Sequence, residues 1–320
     1  MRVFVYEYLT ARGVGADPAD ALHPMYREGR AMRDAVAADF GALPGCEVVT
    51  LDTDEPAAFA AHAASADWSL VIAPEFDGIL ATRCRWVHAA GGRLLGPDPA
   101  AVELTADKLA LHDHWRAHGV PTPATTDRPP TACEAFPVVW KPRHGCGSTA
   151  TYLLRDRFEL AHAVAAAEYD GPMILQEFVP GLAASVAFLC GPAGNVPLLP
   201  AAQHLSDDGR FRYHGGELPL QPNLAARAVA IADRAVSCVR GLCGYVGVDL
   251  ILGDERDVAV EINPRLTTSY VGLRALAVGN LAGDMIHLAA GGGRRQVRWH
   301  DGPVRFAPDG TVVRPLFTPS

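Results

Sequence analysis

The chain has no C-x-x-C pair, no cluster of lysine and arginine, no apolar run of membrane-spanning length, and no internal repeat or low-complexity block. Its seven cysteines, at 46, 84, 133, 146, 190, 238 and 243, are odd in number and read as free thiols of a reducing cytoplasm. A formal net charge of −8 argues against a nucleic-acid or anionic-membrane surface. The opening MRVFVYEYL is a short strand, not a charged-then-apolar leader, so a cytoplasmic protein is expected. What remains is ordinary for a globular protein: 49% hydrophobic and 20% charged residues. At 320 residues, two or three domains or lobes are expected.

The densest chemical signal lies at 245–265, YVGVDLILGDERDVAVEINPR. VGVDLIL and VAVEIN read as two buried strands joined by the polar turn Gly253–Asp257. Alternation puts Glu261 and Asn263 on one face, about 7 Å apart along the strand. If the strands pair as a hairpin, Asp249 lies opposite them. Two buried carboxylates repel unless a cation sits between them. Hard oxygen ligands of this kind suit magnesium, with manganese as the alternative. Arg265 follows at once, a planar fork suited to phosphate or acyl phosphate. The competing interpretation is a plain hairpin whose polar side chains reach solvent.

Residues 1–97 alternate strand and helix: strands at 2–6, 46–51, 69–73 and 93–95, helices at 25–40, 56–64 and 79–90. That alternation predicts a parallel sheet with helices on both faces and ligands beyond the carboxyl ends of its strands. Glu7 and Glu75 stand at such ends and are candidates to hold a substrate amine, or are simply solvated. Pro97-Asp98-Pro99 marks a boundary, after which Thr105 is expected to cap a helix reaching His118, with Lys108 in its first turn. His114 and His118, four apart, read as surface residues without a third ligand.

FPVVWK (136–141) is a strand ending in Lys141, and Thr151–Leu154 resumes as a second strand. Between them Gly145, Gly147 and Ser148 lie in a loop whose N–H groups can cover a triphosphate. It is not a Walker loop, because lysine precedes the glycines. Cys146, without a base, reads as packing. A helix is expected at 158–167, then the strand MILQEF (173–178), whose backbone near Gln176, Glu177, Phe178 and Val179 can meet an adenine edge. Strands are expected at 184–190 and 196–204. The stretch FRYHGGE, with Tyr213, Gly215 and Gly216, touches substrate or is a plain loop. After a helix at 224–242 and the hairpin, Thr267-Thr268-Ser269 is expected to cap a helix from Tyr270, its N-terminus aimed at the phosphates. A helix at 281–290 and a β-tail at 296–315 close the chain.

In this order and spacing the pieces resemble the ATP-grasp ligases: Lys108 in ADK, Lys141 in WKPRHGCGS, Gln176-Glu177-Phe178-Val179 with Gly181, Asp249, and Glu261-Ile262-Asn263-Pro264-Arg265. The resemblance spans nearly the whole chain. It implies a mixed α/β and α+β fold: a Rossmann-like domain at 1–97, a central grasp lobe with its phosphate lid at 98–181, and a C-terminal lobe with the metal site at 182–320. It implies that Lys108 and Lys141 bind ATP phosphates, that 176–179 hold adenine, that Gly145–Ser148 form the lid, and that Asp249, Glu261 and Asn263 hold two magnesium ions. Within that superfamily VFVYEYLT, VIAPEFDGIL and YHGGELP resemble the tyramine–glutamate ligase group of methanofuran biosynthesis.

The expected reaction joins a small-molecule carboxylate to an amine through an acyl phosphate, with Lys141 and Arg265 as catalytic groups. A ligase for other amino acids or peptides, a simple kinase, and an ATP-gripping regulatory protein remain open, and a homodimer is the expected assembly. Glu7, Glu75, Tyr213, Gly215, Gly216 and Thr268 are the candidate substrate contacts.

Overall fold

The structure, a computed structural model, describes residues 1–20, 22–129, 133, 135–166 and 169–314. The expected ends of the helix at Ala167 and of the tail at Pro315 lie outside the described residues.

The first unit runs β1 (Arg2–Glu7), α1 (Tyr8–Arg12), α2 (His23–Gly41), β2 (Glu47–Thr50), α3 (Pro56–Ser65), β3 (Trp68–Ile72) and α4 (Ile79–Ala89). Its strands form a parallel sheet in the order β2-β1-β3. Strand alternation divides the apolar side chains: Val3, Val5 and Leu70 meet Met32, Val36 and Phe40 of α2, while Phe4, Tyr6 and Val71 meet α3 and α4. Helices therefore cover both faces, as expected. The segment 93–95 joins the sheet only through a bridge between Leu94 and Ser69.

Next come α5 (Pro99–Ala106), α6 (Lys108–Ala117), β4 (Thr125–Thr126), β5 (Val138–Pro142), β6 (Tyr152–Leu154), α7 (Arg157–Ala165) and β7 (Met173–Glu177). The strands make a four-stranded sheet, β4-β7-β5-β6. Thr105 is not the cap of the following helix. It lies inside α5, with its hydroxyl on the Ala101 carbonyl, and Asp107 caps α6 by accepting from the Leu109 and Ala110 amides. The backbone breaks after Ala106 because the Asp107 carboxylate satisfies the next helix's free donors. Ala101, Leu111 and Trp115, expected in the 98–181 lobe, instead share a core with the C-terminal sheet.

The chain ends with β8 (Leu182–Gly191), β9 (Gly194–Pro197), β10 (Ala201–Leu205), β11 (Tyr213–Leu218), α8 (Pro222–Ser237), β12 (Gly244–Leu252), β13 (Asp257–Asn263), α9 (Ser269–Leu276), α10 (Leu281–Ala289), β14 (Val304–Phe306) and β15 (Val312–Val313). The order β13-β12-β8-β10-β11-β14-β15, with β9 beside β8, makes an eight-stranded sheet. The run expected as one strand at 196–204 is two, parted by Leu198-Leu199-Pro200. A proline at Pro200 has no N–H to continue the ladder. One face of this sheet is apolar: Val186, Phe188, Val246, Val248 and Leu250 pack on Ala228, Ile231 and Ala235 of α8. The opposite face of β8, β12 and β13 turns toward the four-stranded sheet, and the cleft lies there.

Candidate active site

Two antiparallel hairpins face each other across a cleft of about 270 Å³. On the C-terminal side, β12 pairs with β13 so that Asp249 stands opposite Glu261 and Gly247 opposite Asn263. Just beyond Asp249 the register shifts: Leu250 pairs with Ala259, leaving Val260 as the extra residue. A bulge of this kind re-aims the neighbouring side chains. Because β12 alternates, Gly247, Asp249 and Ile251 point into the cleft while Val248 and Leu250 point into the core. On the other side β5 alternates likewise: Val138 and Trp140 enter the small lobe's core, and Val139 and Lys141 reach the cleft. The expected convergence of the acidic hairpin and Lys141 is what the strands produce.

Lys141 is buried, at 7% exposure. Burial pulls its ammonium down to about 8; Glu261 and Asp249 oppose that, and Lys108 reinforces it. Lys108 Nζ lies 3.7 Å from Glu261 Oε2 and donates to the Gly145 carbonyl at 2.7 Å. Arg143, just past Lys141, forms a bidentate pair with Asp107 at 2.7 and 2.6 Å. Asp107 therefore both caps the helix that starts at Lys108 and ties it to the strand that carries Lys141.

Asp249 and Glu261 test whether a cation fits. Burial, then the charge of Glu261, raises the Asp249 carboxyl well above the usual range. Burial also works on Glu261, but Lys108, Lys141 and Arg265 hold it below the ordinary value. Two adjacent carboxylates of which one is driven to keep a proton are what a divalent cation would relieve. The Asn263 amide donates to Asp249 at 3.0 Å and leaves its own oxygen free. Gln203 of β10 donates to the other Asp249 oxygen at 2.9 Å. The donor set is all oxygen and fits magnesium. Gln203 was missed by the sequence reasoning because it lies on a strand paired with β8, far from the hairpin in the chain.

The loop between β5 and β6 carries Gly147 and Ser148 at φ of +66° and +57°. Ser148 Oγ donates to the Phe211 carbonyl at 2.7 Å, resting the loop on the opposite lobe. Cys146 lines the cleft with its thiol pushed up to about 12 by burial, so it is protonated and no nucleophile. At the far end Gln176 bonds Thr125 at 2.9 Å, Glu177 pairs with Arg256, and Phe178 and Val179 complete the wall. Among the described residues the Val179 N–H has no protein partner, so it can donate to a ligand.

The expected substrate contacts divide. Tyr213 and Thr268 line the cleft. Glu7 does not: it is 2% exposed and accepts from the Leu9 and Thr10 amides as the cap of α1. Glu75 is no solvated loop acid, being buried with an oxygen 2.9 Å from Arg265 Nε, so it orients that guanidinium from behind. Gly215 and Gly216 lie in β11 and serve the sheet: a Cβ on Gly215 would run into the Phe306 carbonyl, and one on Gly216 would come 2.6 Å from the Ala202 oxygen. Thr268 precedes α9 without capping it by its side chain; its hydroxyl donates to Glu28 instead. Glu28 itself carries no sequence signal, being one acid among several on α2.

Two further findings bear on the sequence. His114 and His118 do have a third donor nearby: Cys238 caps α8 where His118 caps α6, and the three ligand atoms lie within 4.8 Å of one another. One nitrogen of each imidazole is already engaged by a backbone carbonyl, His114 with Cys238 and His118 with His114. The second finding is a signal that stood in the composition. Of 28 basic residues only two are lysine, Lys108 and Lys141, and both line this cleft.

The profile of the ATP-grasp domain family matches residues 105–269, and that of the pre ATP-grasp 3 domain matches residues 31–102. The tyramine–L-glutamate ligase of Methanocaldococcus fervens is 32% identical over 212 residues, 65% of this chain and 62% of that enzyme. The chain thus spans about three fifths of that relative's length. A D-alanine–D-alanine ligase of Synechococcus sp. is 29% identical over 227 residues, 63% of this chain and 68% of that enzyme. A crystal structure of an ATP-grasp superfamily protein from Archaeoglobus fulgidus superposes with a TM-score of 0.73 at 27% identity, covering 95% of this chain and 92% of the other. The ADP complex of an N5-carboxyaminoimidazole ribonucleotide synthetase, 15% identical, superposes at 0.72 over 96% of this chain and 80% of its own, a likeness of fold alone.

Proposed function

This chain belongs to the ATP-grasp family, and from that premise we propose that it is an ADP-forming carboxylate–amine ligase. The observation that carries the proposal is the meeting of Asp249 and Glu261 on one hairpin with Lys108, Lys141 and Arg265 around them. A carboxylate does not react with an amine at neutral pH, because oxide is the leaving group. Transfer of the γ-phosphoryl of ATP to a carboxylate oxygen gives an acyl phosphate, whose carbonyl carbon the amine then attacks as phosphate departs. Catalysis of such a transfer is mostly positioning and charge neutralisation.

Each part of the cleft has a role in that sequence. The 176–179 edge binds the base, with the Val179 N–H as donor. Lys108 and Lys141 neutralise the phosphates, and the lid of Gly145, Gly147 and Ser148 excludes water that would hydrolyse the intermediate. Arg265, held in orientation by Glu75, faces the phosphoryl in flight. Asp249, Glu261 and the Asn263 oxygen would hold magnesium, which neutralises phosphate charge when bound.

The finer reading is that the acid is the γ-carboxylate of glutamate and the amine tyramine, supported by the relative from M. fervens. A second reading, ligation of two amino acids, is favoured by the D-alanine–D-alanine ligase relatives. The test is ADP release from purified protein with ATP, magnesium and a matrix of amino acids and amines, with product masses measured. Amine-dependent ADP release and a product lighter by one water than the sum of its parts are expected. ADP release that needs one substrate only would make the protein a kinase.

A further inference from the structure

Among the described residues four carboxylates line the cleft: Glu28, Glu177, Asp249 and Glu261. Asp249 and Glu261 form the magnesium end, and Glu177 sits at the nucleotide's edge, paired with Arg256. Glu28 has no such assignment. It reaches the cleft from α2, on the wall supplied by the parallel-sheet unit, and approaches Arg265 and Thr268. Its Oε1 accepts from the Thr268 hydroxyl. Among the described residues its second oxygen has no hydrogen-bond or ion-pair partner, and the one guanidinium nearby is held by Glu75.

We propose that Glu28 is the amine subsite: its free oxygen receives the substrate's primary ammonium and takes one proton from it, which frees the nitrogen's lone pair for attack. The inference rests on the ligase reading above. The chemistry fits the surroundings. An anion turned into a half-buried cleft without a cationic partner favours a ligand that brings one. Burial, and then the charge of Glu75, raises the Glu28 carboxyl above its usual range, against the pull of Thr268 and Arg265. Tyr213 and Cys146 also face it, and both are kept protonated by burial, so neither competes as the base. In the step itself, a nitrogen–carbon bond forms at the acyl carbon and the carbon–oxygen bond to phosphate breaks. Phosphate leaves with that electron pair and carries off the second proton the nitrogen must lose, the first having already passed to Glu28. Arg265 lines the same cleft as Glu28 and Glu261 and its charge acts on both, so a nitrogen held at Glu28 shares the cleft in which the acyl phosphate forms.

Hydroxylamine separates this role from the rest of the reaction, because it is uncharged at neutral pH and needs no ammonium receiver. Wild-type protein and Glu28→Gln are assayed with ATP, magnesium and L-glutamate, using tyramine or hydroxylamine as nucleophile. If the substrate matrix selects another pair, that pair replaces glutamate and tyramine. Glu28→Gln is expected to raise the amine KM about thirtyfold or more, while hydroxamate formation stays within about twofold of wild type. Glu28→Asp, which keeps the charge and folds with the least disturbance, is expected to lie between. Unchanged tyramine kinetics in Glu28→Gln, or equal loss with both nucleophiles at an unchanged melting temperature, would overturn the assignment. Failure of the wild type to form any hydroxamate would instead remove the ligase reading, and this subsite with it.

Discussion

At one end of the cleft Asp249, Glu261 and Asn263 come from two adjacent strands of a single hairpin. Next to that group Glu28, Glu75, Arg265 and Thr268 are gathered from α2, the turn after β3, and the segment between β13 and α9. The first group is local: strand pairing alone sets which oxygens meet. The second is tertiary: it exists only once the parallel-sheet unit packs against the C-terminal lobe through the shared core of Val3, Val5, Leu70, Tyr245 and Leu273. On the ligase reading proposed above, the local group serves the phosphoryl transfer and the tertiary one meets the acid and the amine.

The comparison can be broken most decisively at the local end. Lys141→Ala or Glu261→Ala is expected to lower ADP release by about a hundredfold or more while leaving the circular-dichroism spectrum unchanged. Wild-type turnover in Glu261→Ala would detach the hairpin from the chemistry, and in Lys141→Ala the lysine of β5 that faces it. Gln203→Ala takes away a support rather than a ligand. An increase of about tenfold in the magnesium needed for half-maximal ADP release is expected, and an unchanged requirement would show that Gln203 does not orient Asp249.

The pH profile sharpens the same end. Lys141 is charged below about 8 and loses its proton above, so kcat/KM for ATP should fall about tenfold per pH unit beyond that point. Bound phosphates favour the ammonium, so kcat should hold to higher pH. Stability moves the other way. The folded-state value lies below the ordinary 10.5, so between about 8 and 10.5 the unfolded chain holds the extra proton and stability rises with pH. A kcat/KM for ATP flat to pH 10 would refute the assignment of Lys141.

Smaller effects follow. Asp107→Ala removes both the cap of α6 and the partner of Arg143, and is expected to destabilise by about 1–2 kcal/mol in denaturant titration. Arg256→Ala breaks a largely exposed pair with Glu177, and exposed pairs contribute little. Its KM for ATP should stay within about twofold of wild type.

Much of this was legible in the chain. Period-two alternation and polar turns located β12 and β13, and the interruption of oily strands by Asp249 and Glu261 marked the pair of carboxylates that face each other across them. The order of strand, lysine, glycine-bearing loop and strand placed Lys141 and the loop beside it at the cleft. The errors share a cause. Glu7 and Glu75 looked like loop acids free for substrate, but one caps α1 and the other holds Arg265. Gly215 and Gly216 looked like a substrate loop, but neighbouring strands crowd them. In each case the deciding partner lies across the tertiary structure or in an adjoining turn whose conformation the local pattern did not reveal.

Read alone, the amino-acid order determined most of the elements and the facing of Asp249 and Glu261, because hydrogen-bonded strands turn sequence spacing directly into distance. Only the packing of three sheets decided which acids face the cleft. Burial and the approach of a guanidinium or hydroxyl from a remote segment set whether a carboxylate caps a helix, orients an arginine or, as with Glu28, keeps one oxygen turned to the cleft.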